Sequence, residues 1–337
     1  MRMKDSMKEN NETLCIGDLH IGNNKNNPLF HKITTDYAHW VKSICNERNI
    51  THIIQMGDVF HDRTSVNLTS LQCAYEFFDI LKEFKIDIIV GNHDCWFLDN
   101  SSVNSLSLLK NWPNITVHDE PGQDEWFVYL PWGIDMKHMP CGKIGIGHLE
   151  VAGYQMNKNK ICENGLKGVE LMENFELLLS GHFHKPQERK YSKKRFIYTG
   201  SAFQLNWGES GENKFIYIVN PETLSVESIE NTLSPRFEYI HSDKDYHKIP
   251  NNFIAINIPN KNDADTLISQ LQALNPLDIK TQYTELDITE TDQNIEEFKI
   301  VNILEIIDEF STSMINITDD QQKTVAEELK LLYNSLS

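Results

Sequence analysis

The sequence predicts an α/β protein: a two-sheet β-sandwich flanked by helices, then a small α+β cap domain and a C-terminal helical hairpin. Three observations predict it. Short apolar runs alternate with amphipathic stretches from Thr13 to about Glu230, the pattern of strands and helices that builds layered α/β folds. Each early run stops at Gly, Asp, Asn or His, so polar residues gather at strand C-terminal ends, the edge where open α/β sheets place their ligands. After Ser234-Pro235 the text changes to a short strand-helix unit and then to a periodic, acidic tail.

Taken in order, residues 1–12 are polar and read as a flexible tail, and residues 13–233 as the main domain. Leu14 to Ile16, His52 to Met56, Asp87 to Val90, Phe127 to Leu130, Lys143 to Ile146 and Leu177 to Leu179 read as strands, with Leu68, Leu71, Phe77 and Phe78 on a helix after the second. Phe196 to Thr199, Phe215 to Val219 and Val226 to Ile229 have no long helices between them, so they are expected to form a second, partly antiparallel sheet. Residues 234–284 form the cap, with a strand at Phe253 to Ile258 and a helix at Ala264 to Leu274. Residues 285–297 are an acidic linker. Residues 298–337 form the hairpin: Ile300, Ile303, Leu304, Ile307, Phe310 and Met314 recur at helical spacing, as do Val325, Leu329, Leu332, Tyr333 and Leu336. Thr318 and Gln321 form a capping box that opens its second helix.

With 337 residues, 40% of them hydrophobic, the chain can bury a sizeable core, which excludes wholesale disorder. No stretch approaches the roughly 18 to 20 apolar residues of a membrane span, and the N-terminus lacks the apolar core of a signal peptide. A cytoplasmic protein with no membrane partner is expected. The six cysteines contain no C-x-x-C pair and sit mostly in apolar segments, which reads as reduced thiols. The net charge of −18 is uneven: Thr281 to Ser337 holds 13 acidic and 3 basic residues, a net of −10, which leaves −8 for the first 280. A nucleic-acid substrate is therefore not excluded, because the local field decides.

The chemistry lies in five strand-end motifs. Asp18-Leu19-His20 offers a carboxylate and an imidazole two residues apart, although alone it is an ordinary solvated turn. Gly57-Asp58-Val59-Phe60-His61 pairs a turn glycine with a carboxylate able to bridge two cations. Gly91-Asn92-His93-Asp94 supplies a neutral oxygen ligand, then a histidine able to contact substrate and an acid to orient it. Gly147-His148 and Gly181-His182-Phe183-His184 complete the set. One such histidine is more often structural than a ligand; five motifs along one sheet edge point to a metal centre. Imidazole, carboxylate and amide oxygen without thiolate suit manganese, iron or zinc.

The order D-x-H, G-D-x-x-H, G-N-H-D, G-H, G-H-x-H resembles the calcineurin-like metallophosphoesterases over about Thr13 to Glu230. The resemblance implies hydrolysis of a phosphoester with two divalent ions, manganese foremost. One ion would be held by Asp18, His20, Asp58 and His184, the other by Asp58, Asn92, His148 and His182, with Asp58 as the bridge. It also implies that His93 stabilises the pentacoordinate phosphorus or protonates the leaving oxygen, with Asp94 setting its tautomer.

Within that family, His61 three residues after Asp58, together with Leu130-Pro131-Trp132 and Tyr198-Thr199-Gly200-Ser201, resembles the double-strand-break repair nucleases of the SbcCD type. Length and the strings Gly147 to Glu150 and Ser180 to His184 are most similar to the T-even-type bacteriophage branch. The resemblance implies a DNA exonuclease and single-strand endonuclease in which His61 helps present the DNA backbone and the cap orients the DNA. It also implies a homodimer, and C-terminal helices that grip a coiled-coil ABC-type ATPase during end resection, recombination and repair in the host cytoplasm. For the phosphate path the basic run from Lys185 to Arg195 offers Lys193, Lys194 and Arg195, which read equally as a solvated turn. The dimer helix reads equally as core, the cap as a stabilising appendage, and the terminal helices as packed on their own domain. A small-molecule phosphodiesterase and a non-catalytic scaffold are the alternatives.

Overall fold

The computed structural model describes residues 11–158, 160–258, 264–283 and 323–330. Strands β1 (Thr13–Ile16), β2 (His52–Gln55), β3 (Lys85–Ile89) and β4 (Ile115–His118) run parallel in one sheet. Strands β5 (Gly122–Gln123), β6 (Phe127–Leu130), β7 (Ile144–His148), β8 (Leu177–Gly181), β9 (Gln187–Tyr191) and β10 (Lys194–Tyr198) form a second sheet in the order β5-β6-β7-β8-β10-β9. The chain then returns: β11 (Phe215–Asn220) and β12 (Ser225–Glu230) add antiparallel to the free edge of β1, giving the first sheet the order β12-β11-β1-β2-β3-β4. This corrects the expected division of the sheets. Of the three late runs, only β10 lies in the second sheet; the other two pair with the N-terminal strands, a choice made by long-range pairing that local pattern does not carry.

The crossover helices cover the outer face of the first sheet. Helix Pro28–Arg48 starts where the Asn27 side chain accepts from Leu29 N at 3.0 Å and Pro28 presets the first turn. It buries Phe30, Ile33, Tyr37, Val41 and Cys45, one face at helical spacing. Helix Leu68–Ile80 is capped likewise by Asn67 and buries Cys73, Ala74, Phe77 and Phe78. Between the two sheets lies a core of Ile54, Met56, Ile89, Phe127, Ile144, Ile146 and Leu179. The outer face of the second sheet is covered by Leu149, Val151, Tyr154, Leu171 and Phe175, from a segment with only one short helix. All six cysteines are free thiols, and five are buried.

In the cap, β13 (Phe237–Ile240), β14 (Phe253–Ile258) and β15 (Asp278–Tyr283) are parallel, with helix Ala264–Gln272 crossing between the last two. The sequence pointed only to β14 and the helix, because β13 and β15 interleave polar residues with apolar ones. Phe30 of the first helix stacks on Phe253 at 5.4 Å, and Phe253 on Phe237 at 4.6 Å. The described residues as far as Tyr283 accordingly form one compact unit, cap included. The N-terminal tail as far as Asn10, the acidic linker, and the hairpin periodicity with its capping box lie outside the described residues, apart from a helix at residues 323–330 that carries Val325 and Leu329. No helix among the described residues is long and apolar enough to cross a membrane.

Candidate metal centre

The strand ends are locked together by backbone and buried side chains. Leu19 N and His20 N both donate to Asp58 O, at 3.1 and 3.0 Å, joining the turns after β1 and β2. The Gln55 side chain closes the second turn on itself, donating to Gly57 O at 2.8 Å and accepting from Gly57 N at 2.9 Å. Gly57 has φ +96°, and a Cβ there would lie 2.5 Å from His148 Nδ1. No other residue fits that turn. His20, Asp58 and His182 also hold positive φ, at 47°, 52° and 93°, a strain of about 1–3 kcal/mol each that persists only where the surroundings over-determine it.

The structure brings Asp18, His20, Asp58, Asn92, His148, His182 and His184 together, the first five of them buried. Two triads, Asp18–His20–His184 and Asp58–His148–His182, each place one donor atom per residue within 4.8 Å of one another. Asp58 joins them: its Oδ2 lies 3.5 Å from His20 Nε2 and its Oδ1 3.4 Å from His148 Nε2.

The protons point outward. His148 Nδ1 donates to Met56 O at 2.8 Å, and His184 Nδ1 donates to Glu209 Oε1 at 2.9 Å. In the neutral imidazoles both Nε2 lone pairs then face inward, that of His184 lying 2.9 Å from His20 Nε2 and that of His148 2.9 Å from the Asn92 carbonyl oxygen. Asn92 Oδ1 is also 2.8 Å from His182 Nδ1, while Asp18 Oδ1 is buried with no hydrogen-bond partner. Acceptors converging on acceptors in a buried site are costly without a cation between them, so the donor set fits divalent metal.

The buried groups also shift one another's protonation. Burial pushes the Asp18 carboxyl up to about 7, with Asp58 adding to the rise although His148 and His184 oppose it. Burial acts against charge on His148 too, but Asp58 and Asp18 outweigh it and lift the imidazole to about 9. Burial, with His184 beside it, holds His20 well below the ordinary range.

His93 and His61 stand at the open side of His20. Their rings are near parallel, with centroids 5.7 Å apart, and each approaches His20 edge-on. His93 Nδ1 donates to His61 O at 2.6 Å, which leaves its Nε2 free. Asp94 does not orient His93, as its place in the motif suggested. Its buried carboxylate instead accepts from Val59 N, Phe60 N and Gly91 N at 3.3, 3.0 and 3.1 Å. It braces the turns that carry Asp58 and Asn92, and the His61 carbonyl takes the orienting role.

Lys193, Lys194 and Arg195 are not brought to the centre. Arg195 pairs in register with Leu177, the first residue of β8, whereas the metal-ligand motif follows the last. Lys194 Nζ also donates to the Met172 and Glu173 carbonyls, and Arg195 forms a two-pronged pair with Glu188. What motif reading missed is Glu209. It accepts from His184, from Ser201 Oγ at 3.0 Å and from Leu205 N at 3.2 Å, and it pairs with Lys214 Nζ at 2.8 Å. These donors outweigh its burial and hold its carboxyl at about 2. Nothing in Trp207-Gly208-Glu209-Ser210 marks it, because its partner is 25 residues away.

The fold and donor set are those of a metallophosphoesterase, and the chain belongs to the calcineurin-like phosphoesterases, whose family model matches residues 12–186. It is 23% identical over 346 residues to Exonuclease subunit 1 of Enterobacteria phage T4, covering 95% of this chain and 98% of that one. Among solved structures it is similar to an archaeal phosphodiesterase (15% identity, 65% of this chain and 99% of that one, TM-score 0.37). It is also similar to the nuclease MPE of Pseudomonas putida (18% identity, 64% and 87% coverage, TM-score 0.32).

Proposed function

We propose that this chain is a DNA nuclease that hydrolyses phosphodiesters with two divalent ions, manganese foremost, and that it works with a coiled-coil ABC-type ATPase in end resection, recombination and repair. The observation that carries this is the pair of donor triads joined by the two oxygens of Asp58. Support for the substrate comes from near end-to-end similarity to a phage protein called an exonuclease subunit.

Asp18, His20, Asp58 and His184 would hold one ion, and Asp58, Asn92, His148 and His182 the other. Bound there, the ions would polarise the phosphoryl group and supply an activated water. The chain's own groups do the rest. His93 would use its Nε2, left free by the bond from Nδ1 to His61 O, to protonate the leaving oxygen or to stabilise the pentacoordinate phosphorus. His61, exposed and stacked beside it, would present the DNA backbone. The reading includes exonuclease and single-strand endonuclease activity.

A homodimer would use the exposed Leu68, Leu71 and Tyr75 face of the second crossover helix; Phe77 and Phe78 belong to the core instead. The C-terminal helical segment is proposed as the ATPase contact, and host cytoplasm as the location. The test is a manganese-dependent assay on labelled single- and double-stranded DNA. The wild type should cut and Asp58→Ala should not; equal cutting by both, or by neither, sinks the proposal.

A further inference from the structure

A cavity of about 530 Å³ opens beside His184 and reaches the cap, within the roughly 300–1,000 Å³ typical of small-molecule sites. Its walls include Lys185, which follows His184 directly, Lys158 from the covering segment, Trp207, and Tyr239 of β13. The cap's register explains the aromatic wall. Tyr239 pairs with Ala255, and Ala255 with Lys280, so Tyr239 and Lys280 stand on one face on either side of a methyl group. Trp207 sits by both: its ring is 5.2 Å from that of Tyr239, and Lys280 Nζ is 5.7 Å from its centroid. Phe237 braces Trp207 from the edge at 5.0 Å. Trp207 is thus held between Phe237 and Tyr239, yet Tyr239 remains 44% exposed.

The polar wall has the opposite complement. Lys158 Nζ donates to the Ser210 carbonyl and Lys185 Nζ to the Gln155 side-chain oxygen. Among the described residues neither has a carboxylate at ion-pair distance. Glu209 and Glu212, which also line the cavity, are turned to Lys214 at 2.8 and 3.0 Å. Two ammonium groups thus keep charge for an anion and share with the exposed Tyr239 ring a cavity that His184 joins to the candidate metal centre. Phosphate next to a flat π-system describes one nucleotide.

We propose that this cavity seats an unpaired nucleotide adjacent to the scissile phosphate, its base against Tyr239 and Trp207 and its phosphate toward Lys158 and Lys185. The inference rests on the nuclease reading and narrows it. A base within a duplex already has both faces covered, so the substrate class is DNA with a single-stranded or unstacked end. Every base has a π-face, so the seat is indifferent to sequence.

The test uses the manganese-loaded full chain and labelled oligonucleotides with one abasic residue moved stepwise along either side of the cut bond. In the wild type one position next to the cut should raise KM by about tenfold, the scale of one base–aromatic stack. In Tyr239→Ala that position-specific penalty should vanish, and in Tyr239→Phe it should return. An equal penalty in wild type and Tyr239→Ala, or no sensitive position in the wild type, overturns the inference and leaves the nuclease reading standing. A wild type that hydrolyses bis(p-nitrophenyl) phosphate but no oligonucleotide overturns the nuclease reading itself, and the nucleotide seat with it.

Discussion

His184 carries its proton on the side facing Glu209, so the lone pair it would offer to a bound ion depends on a carboxylate outside the proposed ligand set. Partners of this kind fix the tautomer and raise ligand basicity, and losing one lowers metal affinity by about 10–100-fold. Glu209→Gln should weaken manganese binding on that scale in calorimetry on the resting protein; unchanged affinity would make Glu209 a packing residue. His93 predicts the reverse split. It is held by His61 O and, although it groups with His20 and His61 as a possible donor, it lies outside the ligand set proposed for the two ions. His93→Ala should therefore bind metal normally while turnover falls by about 10²–10⁴-fold, the usual contribution of a general acid or base. Normal metal binding with full turnover would remove His93 from the mechanism.

The strands of the first sheet are tied sideways by a polar cluster around the buried Asp87. Asp87 of β3 accepts from His52 Nε2 of β2 at 2.6 Å and from His118 Nε2 of β4 at 2.7 Å, and pairs with Lys85 Nζ at 2.9 Å. Burial acts against its charge, but these donors hold its carboxyl far below the usual range. A carboxylate with a depressed folded pKa contributes stability that is fully present above the unfolded value of about 3.9 and is lost as pH falls below it toward the folded value. Asp87→Asn should cost about 1–3 kcal/mol at neutral pH, because buried donors lose their acceptor. Its midpoint in denaturant should then depend less steeply on pH below about 4 than that of the wild type. Parallel slopes would assign the acid sensitivity elsewhere.

For the molecule as a whole, the exposed row on helix Leu68–Ile80 is the surface proposed to meet another copy. Leu68 is 81% exposed, Tyr75 54% and Leu71 37%, and Tyr75 packs edge-on against Trp112 at 5.3 Å. Apolar side chains clustered at helical spacing on a surface mark an interaction site more often than chance. Leu68→Glu combined with Leu71→Glu should convert a dimer to a monomer in sedimentation, with little change in thermal midpoint because neither residue is in the core. A wild type that sediments as a monomer at all concentrations ends the dimer proposal.

How much of this was legible in the sequence differs between residues for physical reasons. Asp18, His20, Asp58, Asn92, His93, His148, His182 and His184 were legible because each lies at or just past the end of an apolar strand, and within each sheet the parallel strands bring those ends together. Local pattern and spacing determined most of the strands, the helix after β2, the turn glycine at Gly57 and the chemistry of the donor set. Only the tertiary structure decided which sheet β11 and β12 join, that Asp94 braces turns while the His61 carbonyl orients His93, that Glu209 backs His184, and that Lys193, Lys194 and Arg195 lie at the far end of β10. Each of these depends on a partner brought close by folding rather than by sequence, and short-range periodicity cannot encode a contact between segments that meet only once the sheets have paired.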